Sequence, residues 1–577
     1  MRRYITTLIV LCAVAVSASA QVAKQVEVTK EYAPEIGSAH KMDITPNMVD
    51  TITLRPEIDY TITPRSFASA LGTHRFNPAT VTYWEYQRKY PFYVKAGIGY
   101  PLNTEGDFYA SLHRADVGYL TGYVNHYGQY AKLQYKDGYD NQDYKDNRSM
   151  QMNNKFGVMG GRYIGRYTLA GDLFYRMDTY HRYPLHDADF SKRKIDFDDV
   201  NLALSFGDSF ADYSHLNFKV YASADLYNDK SQTFIEGARY QQINVTAGLA
   251  LAREITKRSA LSLDFDYDGY YGLQSLKSYK NSLVGGKLLY RYRSGGLVDM
   301  NVGAEVIYDY NPADKSKKSR WHAFPYLALS LNINDRGAFV PYVEVDGEVQ
   351  NNSYYSLVRQ NPYVAILGGA EGSLSADSVV PNTSLYNVRF GVSGHSASSK
   401  FAYRFYANMS FLLNDVYWYN INQIFFGVQS ANRNLWSLCG AVDYKPISQL
   451  LLTAQVKGLL FSNFSTVEDA MPSIEALLKA RYAHKKFTVG LSAELRGKTK
   501  WTCVQSSSIL GAEDRSFTFD ETPFWVGLNL YADWHISKTC TVYVEGNNLL
   551  GDVMPTYRWA FYREMGASFT VGVKVQF

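Results

Sequence analysis

The chain has 577 residues, of which 59 are basic and 55 acidic, for a formal net charge of +4 and a mean hydropathy of −0.27. That balance leaves no basic footprint for nucleic acid, and the odd, scattered set Cys439, Cys503 and Cys540 that follows the N-terminal leader excludes a complete disulfide framework. Tyrosine is in excess at 49 residues and aromatics make up 15%, but no apolar run after the leader is long enough for a spanning helix, which leaves a closed β-barrel as the way for such a chain to cross a membrane.

At the N-terminus Arg2 and Arg3 precede the apolar run "TLIVLCAVAV" (Thr7 to Val16), and Ala18 and Ala20 occupy the small positions before Gln21. Residues 1–20 thus read as a cleaved secretory signal; the run falls short of the roughly 20 apolar residues of a membrane anchor. Cys12 follows Leu11, where a lipoprotein signal has a small residue, so it is not read as a lipid-attachment site. Removal of the signal takes two basic residues and leaves +2. Residues 21–89 carry Pro34, Pro46, Pro56, Pro64 and Pro78, a spacing that favours an extended periplasmic or lumenal segment over a folded domain.

From Phe92 the sequence alternates with a period of two. In "FYVKAGIGY" Phe92, Val94, Ala96, Ile98 and Tyr100 oppose Tyr93, Lys95, Gly97 and Gly99, and in "LVDMNVGAEVIY" Val298, Met300, Val302, Ala304, Val306 and Tyr308 oppose Asp299, Asn301, Gly303 and Glu305. Short turns are expected near 113–117, Gly165, Asp208, Thr256, Ser294, Asp335, Ser396, Ile447, Lys485 and Ser537, with longer polar connections such as 136–149 and 351–382 between them. Short turns alternating with long loops are the outer-membrane pattern. The expected fold is all-β, a transmembrane antiparallel barrel of about 22 strands over residues 90–577 with a short extended N-terminal segment and both ends on the periplasmic side.

The polar face carries full charges, as a wet lumen would: Lys95, Asp299, Glu305, Glu344, Asp346, Glu348, Arg404, Lys457, Glu494 and Arg496. The acids Glu344, Asp346 and Glu348 are expected to balance Arg404, Lys457 and Arg496. The connection with Asp137, Asp140, Asp143 and Asp146, and the one with His181, His186, Asp187 and Asp189, match no calcium or zinc spacing, so no metal and no cofactor is expected. No nucleophile elbow stands on a strand-to-helix turn, and an enzyme is not expected. In "NDVYWYNINQIFFGVQ", Tyr417, Trp418, Tyr419, Phe425 and Phe426 read either as a surface that binds a partner or as a membrane-interface girdle.

The chain ends "MGASFTVGVKVQF", with Phe569, Val571, Val573, Val575 and Phe577 on one face, a strand that closes a barrel against lipid. It resembles the C-terminal signal that barrel-assembly machinery recognises. With "VYVEGNNLLGD" before it, and Asn548 and Leu549 at the Asn-Leu positions, the ending resembles that of TonB-dependent receptors. The Tyr-rich style and the signal resemble outer-membrane proteins of Bacteroidota. The resemblance covers roughly residues 90–577 and implies a 22-strand outer-membrane transporter barrel. The departure lies at the N-terminus, where residues 21–89 are too few for a conventional plug. "VEVTK" (Val26 to Lys30) resembles a TonB box and also reads as a plain extended linker, so engagement of TonB stays open. Two functions follow from the resemblance and its departure: solute uptake or passage, or a non-transporting scaffold that binds another outer-membrane or periplasmic protein.

Overall fold

The computed structural model describes residues 90–577 apart from 134–147, 183–193, 232–237, 295–296, 313–317, 334–336, 365–379, 397, 399, 463–470 and 507–514. The signal, the segment 21–89, the four aspartates of 137–146 and the ligand-type residues His186, Asp187 and Asp189 lie outside the described residues.

Alternation of apolar and polar residues builds a long meander. Its first part is β1 (Phe92–Tyr100), β2 (Asn103–Arg114), β3 (Gly118–Lys132), β4 (Arg148–Ile164), β5 (Tyr167–His181), β6 (Lys194–Asp208), β7 (Asn217–Asp229), β8 (Tyr240–Thr256) and β9 (Ser259–Gln274). It continues through β10 (Lys280–Arg293), β11 (Val298–Tyr310), β12 (Ser319–Leu331) and β13 (Val340–Gln350), then a two-turn helix, α1 (Tyr354–Gln360), and β14 (Thr383–His395). The two longest strands, β15 (Phe401–Ile421) and β16 (Phe425–Ile447), are followed by β17 (Leu450–Ser462), β18 (Ile474–Ala483) and β19 (Phe487–Arg496). The last part is β20 (Thr499–Ser506), β21 (Arg515–Thr522), β22 (Trp525–His535), β23 (Cys540–Asn547), the small hairpin β24 (Tyr557–Trp559) and β25 (Tyr562–Arg563), and β26 (Ser568–Gln576).

Twenty-four strands form one continuous sheet, from which β20 and β21 leave the wall as a hairpin, so the ring itself has 22 strands. It closes where β26 pairs antiparallel with β1, from Tyr93 opposite Gln576 to Tyr100 opposite Phe569. The final carboxyl-terminal residue is tied in as well, since Phe92 and Phe577 exchange backbone hydrogen bonds and stack their rings at 5.3 Å. The ten expected turns mark the junctions between consecutive strands of the ring, with Asp208, Thr256 and Ile447 as the last residues of β6, β8 and β16 and Asp335 itself outside the described residues. The short-long rule fails at the opposite end, where β1 joins β2 through 101–102 alone and β15 joins β16 through 422–424. In the latter turn Asn422 and Gln423 take positive φ, a conformation that asparagine tolerates.

Each strand turns its apolar side out. Val302 and Val306 of β11, and Phe569, Val571, Val573 and Phe577 at the C-terminus, are exposed as a lipid-facing band, whereas Thr570 and Lys574 point inward and are buried. The excess of tyrosine and glycine has a shared cause on the inner face. Directly paired residues Tyr123 and Gly157, Tyr221 and Gly248, and Tyr531 and Gly490 place a ring over a residue without a side chain. This cross-strand cover shields backbone that glycine would leave bare. A β-carbon at position 490 would overlap the Tyr531 ring. Gly490→Val is therefore expected to destabilise the barrel by about 1–3 kcal/mol in urea unfolding, and Tyr531→Ala in the same chain should recover most of that loss.

Candidate functional site

The inner wall is polar and internally paired. Neighbouring strands repeat an Asn–Asp contact: Asn125 donates to Asp107 at 2.7 Å, Asn153 to Asp178 at 2.7 Å and Asn201 to Asp225 at 2.6 Å. Pairing of this kind lets carboxylates face the lumen at small cost. Near the closing seam Lys95 meets Glu105 at 2.6 Å and Glu545 at 3.4 Å, and Lys574 meets Asp533 at 2.8 Å. Both ammonium groups lie over the Tyr543 ring, 4.8 and 4.3 Å from its centre, and its hydroxyl donates to Glu105.

The other expected lumen charges also point inward. Asp299 is buried, Glu305 meets Lys287 at 3.4 Å, and Glu348 accepts from Gln350 at 2.9 Å. Glu344 lies between Arg389 at 3.4 Å and Arg404 at 3.1 Å, and Asp346 binds Arg389 at 2.7 Å. Arg404 thus meets Glu344, but Lys457 and Arg496 do not reach that group. Strand register puts Lys457 opposite Glu475, and Arg496 lies 3.9 Å from the same carboxylate. Glu494 has Arg558 and Arg496 near it.

The loop end is where the structure departs most from expectation. The aromatic segment around the β15–β16 turn is not an exposed surface: Trp418, Phe425 and Phe426 are 3%, 0% and 0% exposed and Tyr419 is buried, while only Tyr417 keeps partial exposure. The cause is that these two strands outgrow the wall and pack against other connections. Phe426 lies edge-on to Trp501 of β20 at 6.0 Å and to Trp559 of β24 at 5.3 Å, and Trp418 lies edge-on to Trp559 at 5.6 Å. Tyr363, after α1, stacks on Tyr562 at 3.8 Å, and the Tyr562 hydroxyl donates to the Ile424 carbonyl at 2.5 Å. Arg182, which follows β5, lies 5.6 Å from the Phe425 ring of β16, half-way round the ring of strands. A single buried cluster therefore bridges opposite walls at this end.

Under this cap α1 rests on the inner faces of β5, β6 and β7. Ser353 caps the helix, accepting from the Ser356 amide at 3.1 Å, and Tyr354, Leu357 and Val358 form its buried side. Each of the three strands presents an aspartate to it, buried on β5 and β6 and half-buried on β7. Arg359 binds Asp178, the Tyr355 hydroxyl donates to Asp199 at 3.3 Å, and the Tyr354 hydroxyl donates to Asp229 at 2.5 Å. Arg176 of β5 binds Asp199 through two hydrogen bonds at 2.8 and 2.6 Å. Burial pushes the Tyr355 phenol up to about 12, with Asp199 adding to the rise against Arg176, so it is a donor at neutral pH. Burial is the largest influence on Arg359 and disfavours its cation, but Asp178 together with Tyr180 and Tyr355 more than offsets it and holds the group above its usual range. None of Arg176, Asp178, Asp199, Asp229 or Arg359 was singled out by sequence reasoning. The available signal was "SYYSLVRQN" inside the long connection, a serine cap followed by apolar residues at i, i+3 and i+4.

No family model matches the chain, and no curated protein matches it. Solved structures do. The siderophore receptor PirA from Acinetobacter baumannii superposes with a TM-score of 0.60 at 10% identity, over 84% of this chain and 80% of that one. A variant of the ferric enterobactin receptor PfeA from Pseudomonas aeruginosa gives 0.63 at 10% identity, over 84% and 80%. The FrpB iron transporter from Neisseria meningitidis gives 0.61 at 10% identity, over 84% and 81%. At such low identity the likeness is one of fold: the chain is a closed, 22-strand antiparallel barrel of the kind that these receptors and this transporter also form.

Proposed function

We propose that the protein is an outer-membrane barrel that takes up or passes a solute, with residues 1–20 as a cleaved export signal, 21–89 as a periplasmic or lumenal segment and 90–577 as the barrel. The observation that carries the reading is the likeness of the whole ring to proteins described as receptors and transporters, over 84% of the chain. The polar, paired inner wall supports it, because a route for a hydrophilic solute needs such a lining. In this reading the lumen charges line the route, and Phe569, Val571, Val573, Val575 and Phe577 form the strand that assembly machinery recognises before it faces lipid. TonB is a partner in this scheme if the segment 21–89 supplies what it pulls on. A Bacteroidota source fits the Tyr-rich style.

A second reading, a scaffold within a larger outer-membrane assembly, draws support from the cap. The two readings part in a planar lipid bilayer. We expect the mature protein to be silent, and versions without residues 21–89 or with the cap loosened to conduct ions. Silence in every version would end the uptake reading and favour the scaffold, which co-purification of a partner would then test.

A further inference from the structure

The wall beneath α1 has the features of an occupied binding site. Its three carboxylates, the buried Asp178 and Asp199 and the half-buried Asp229, stand on consecutive strands and all face the lumen. The wall supplies cations of its own: Arg176, 3.7 Å from Asp178 and 2.6 Å from Asp199, Arg182, whose charge is felt at Asp229, and Lys155, which interacts with Asp199 and with Asp172. A further cation, Arg359, comes from α1 and binds Asp178. Withdrawal of the helix would leave Asp178 with the more distant Arg176 at 3.7 Å and the Asn153 amide, and would vacate the closer cation position that Arg359 holds, which a guest cation would fill.

A second observation concerns the rings around Tyr354. Tyr227, Tyr240 and Tyr279 approach it with centroids at 6.1, 5.8 and 6.3 Å, and Tyr270 joins the same buried cluster. All four are at most 3% exposed, and among the described residues no acceptor or donor meets any of their hydroxyls. Burying an unpaired hydroxyl is destabilising, a cost that phenylalanine would avoid in a permanent seal. A surface that must greet a polar guest has reason to keep such groups. Further along the inner face, β7, β9 and β11 present Asp225, Asp264, Asp266, Asp268 and Glu305, against Lys287. A cation that enters here meets an attractive potential beyond the site. The helix itself is only two turns long, too short to be stable alone, so its seat is one it can leave.

We propose that this wall binds a guanidinium-bearing solute with an aromatic or aliphatic body, the chemistry of a short arginine-containing peptide, and that α1 occupies the site in the closed protein. The proposal rests on the solute reading above and names the class of solute. Arg359 stands in for the guest guanidinium on Asp178, and Tyr354 and Tyr355 stand in for its polar and aromatic parts.

The test uses purified full-length protein in detergent and two probes of the same shape, tyrosyl-arginine amide and its uncharged counterpart tyrosyl-citrulline amide, with binding read by calorimetry. The variant Arg359→Gln vacates the cation position without touching the barrel wall. It should bind the arginine probe at least tenfold tighter than the parent protein does, and at least tenfold tighter than it binds the citrulline probe. Adding Asp178→Asn should abolish that preference. Should that variant fail to give the compact, heat-sensitive gel band of a folded barrel, salt provides the second measurement. Raising it from about 0.05 to about 0.5 M should weaken the arginine probe selectively. Equal binding of both probes, or no binding to Arg359→Gln, overturns the proposal. Conductance is scored separately: a protein that binds the arginine probe but never conducts defeats solute passage and leaves the site standing, and one that conducts but ignores the probe defeats the site alone.

Discussion

Replacing Trp559 with alanine is expected to release the cap while leaving the ring of strands intact. Trp559 is buried where Trp418, Phe426 and Trp501 converge, at 5.6, 5.3 and 5.8 Å. A tryptophan truncated in such a position costs about 3–5 kcal/mol. The loss falls on local opening, because β24 pairs only with β25 and takes no part in the wall. Hydrogen exchange should therefore quicken by about a hundredfold or more at the amides of α1, the β15–β16 turn and β20, with no change in β2 to β11. Unchanged exchange at α1 would show that the cap does not open as one unit.

The second large effect is expected at the closing seam. Asp533 is only 2% exposed, and its carboxylate is held by Lys574 of the last strand at 2.8 Å. Asp533→Ala leaves the Lys574 ammonium in a buried place with the Tyr543 ring beneath it. Breaking a buried pair from one side costs about 3–5 kcal/mol, more than the pair itself contributes, because the remaining charge stays desolvated. The single variant should unfold at a clearly lower urea concentration, and Asp533→Leu combined with Lys574→Met should regain most of the difference. A double variant as unstable as the single one would mean that the seam depends on the charges themselves, not on their pairing.

Much of the barrel was legible in the amino-acid order because lipid enforces a rule at every second residue. Val302, Val306, Val571 and Val573 face outward for the same reason, and a one-residue slip would bury that whole face. The site was harder to read. Glu344 and Arg404 meet as expected, but the surroundings of Lys457 and Arg496 depend on strand register, which places Lys457 opposite Glu475 and Arg496 3.9 Å from the same carboxylate. The aromatic residues from Trp418 to Phe426 carry the same composition whether they lie in a girdle or in a core. What decides is the arrival of Trp501, Trp559 and Tyr562 from distant connections. A helix of seven residues in a long polar connection likewise leaves little periodicity to detect.

The cap also has a consequence for how the molecule is built. Arg359 and Asp178 are 181 positions apart, and Tyr562 and Ile424 are 138 apart. Contacts so remote bear a heavy loop-closure entropy until a scaffold holds their ends near one another, and the ring is that scaffold. The seal is consequently expected to form last, after β26 has joined β1. Every newly made copy passes through an open-mouthed stage before the cap shuts.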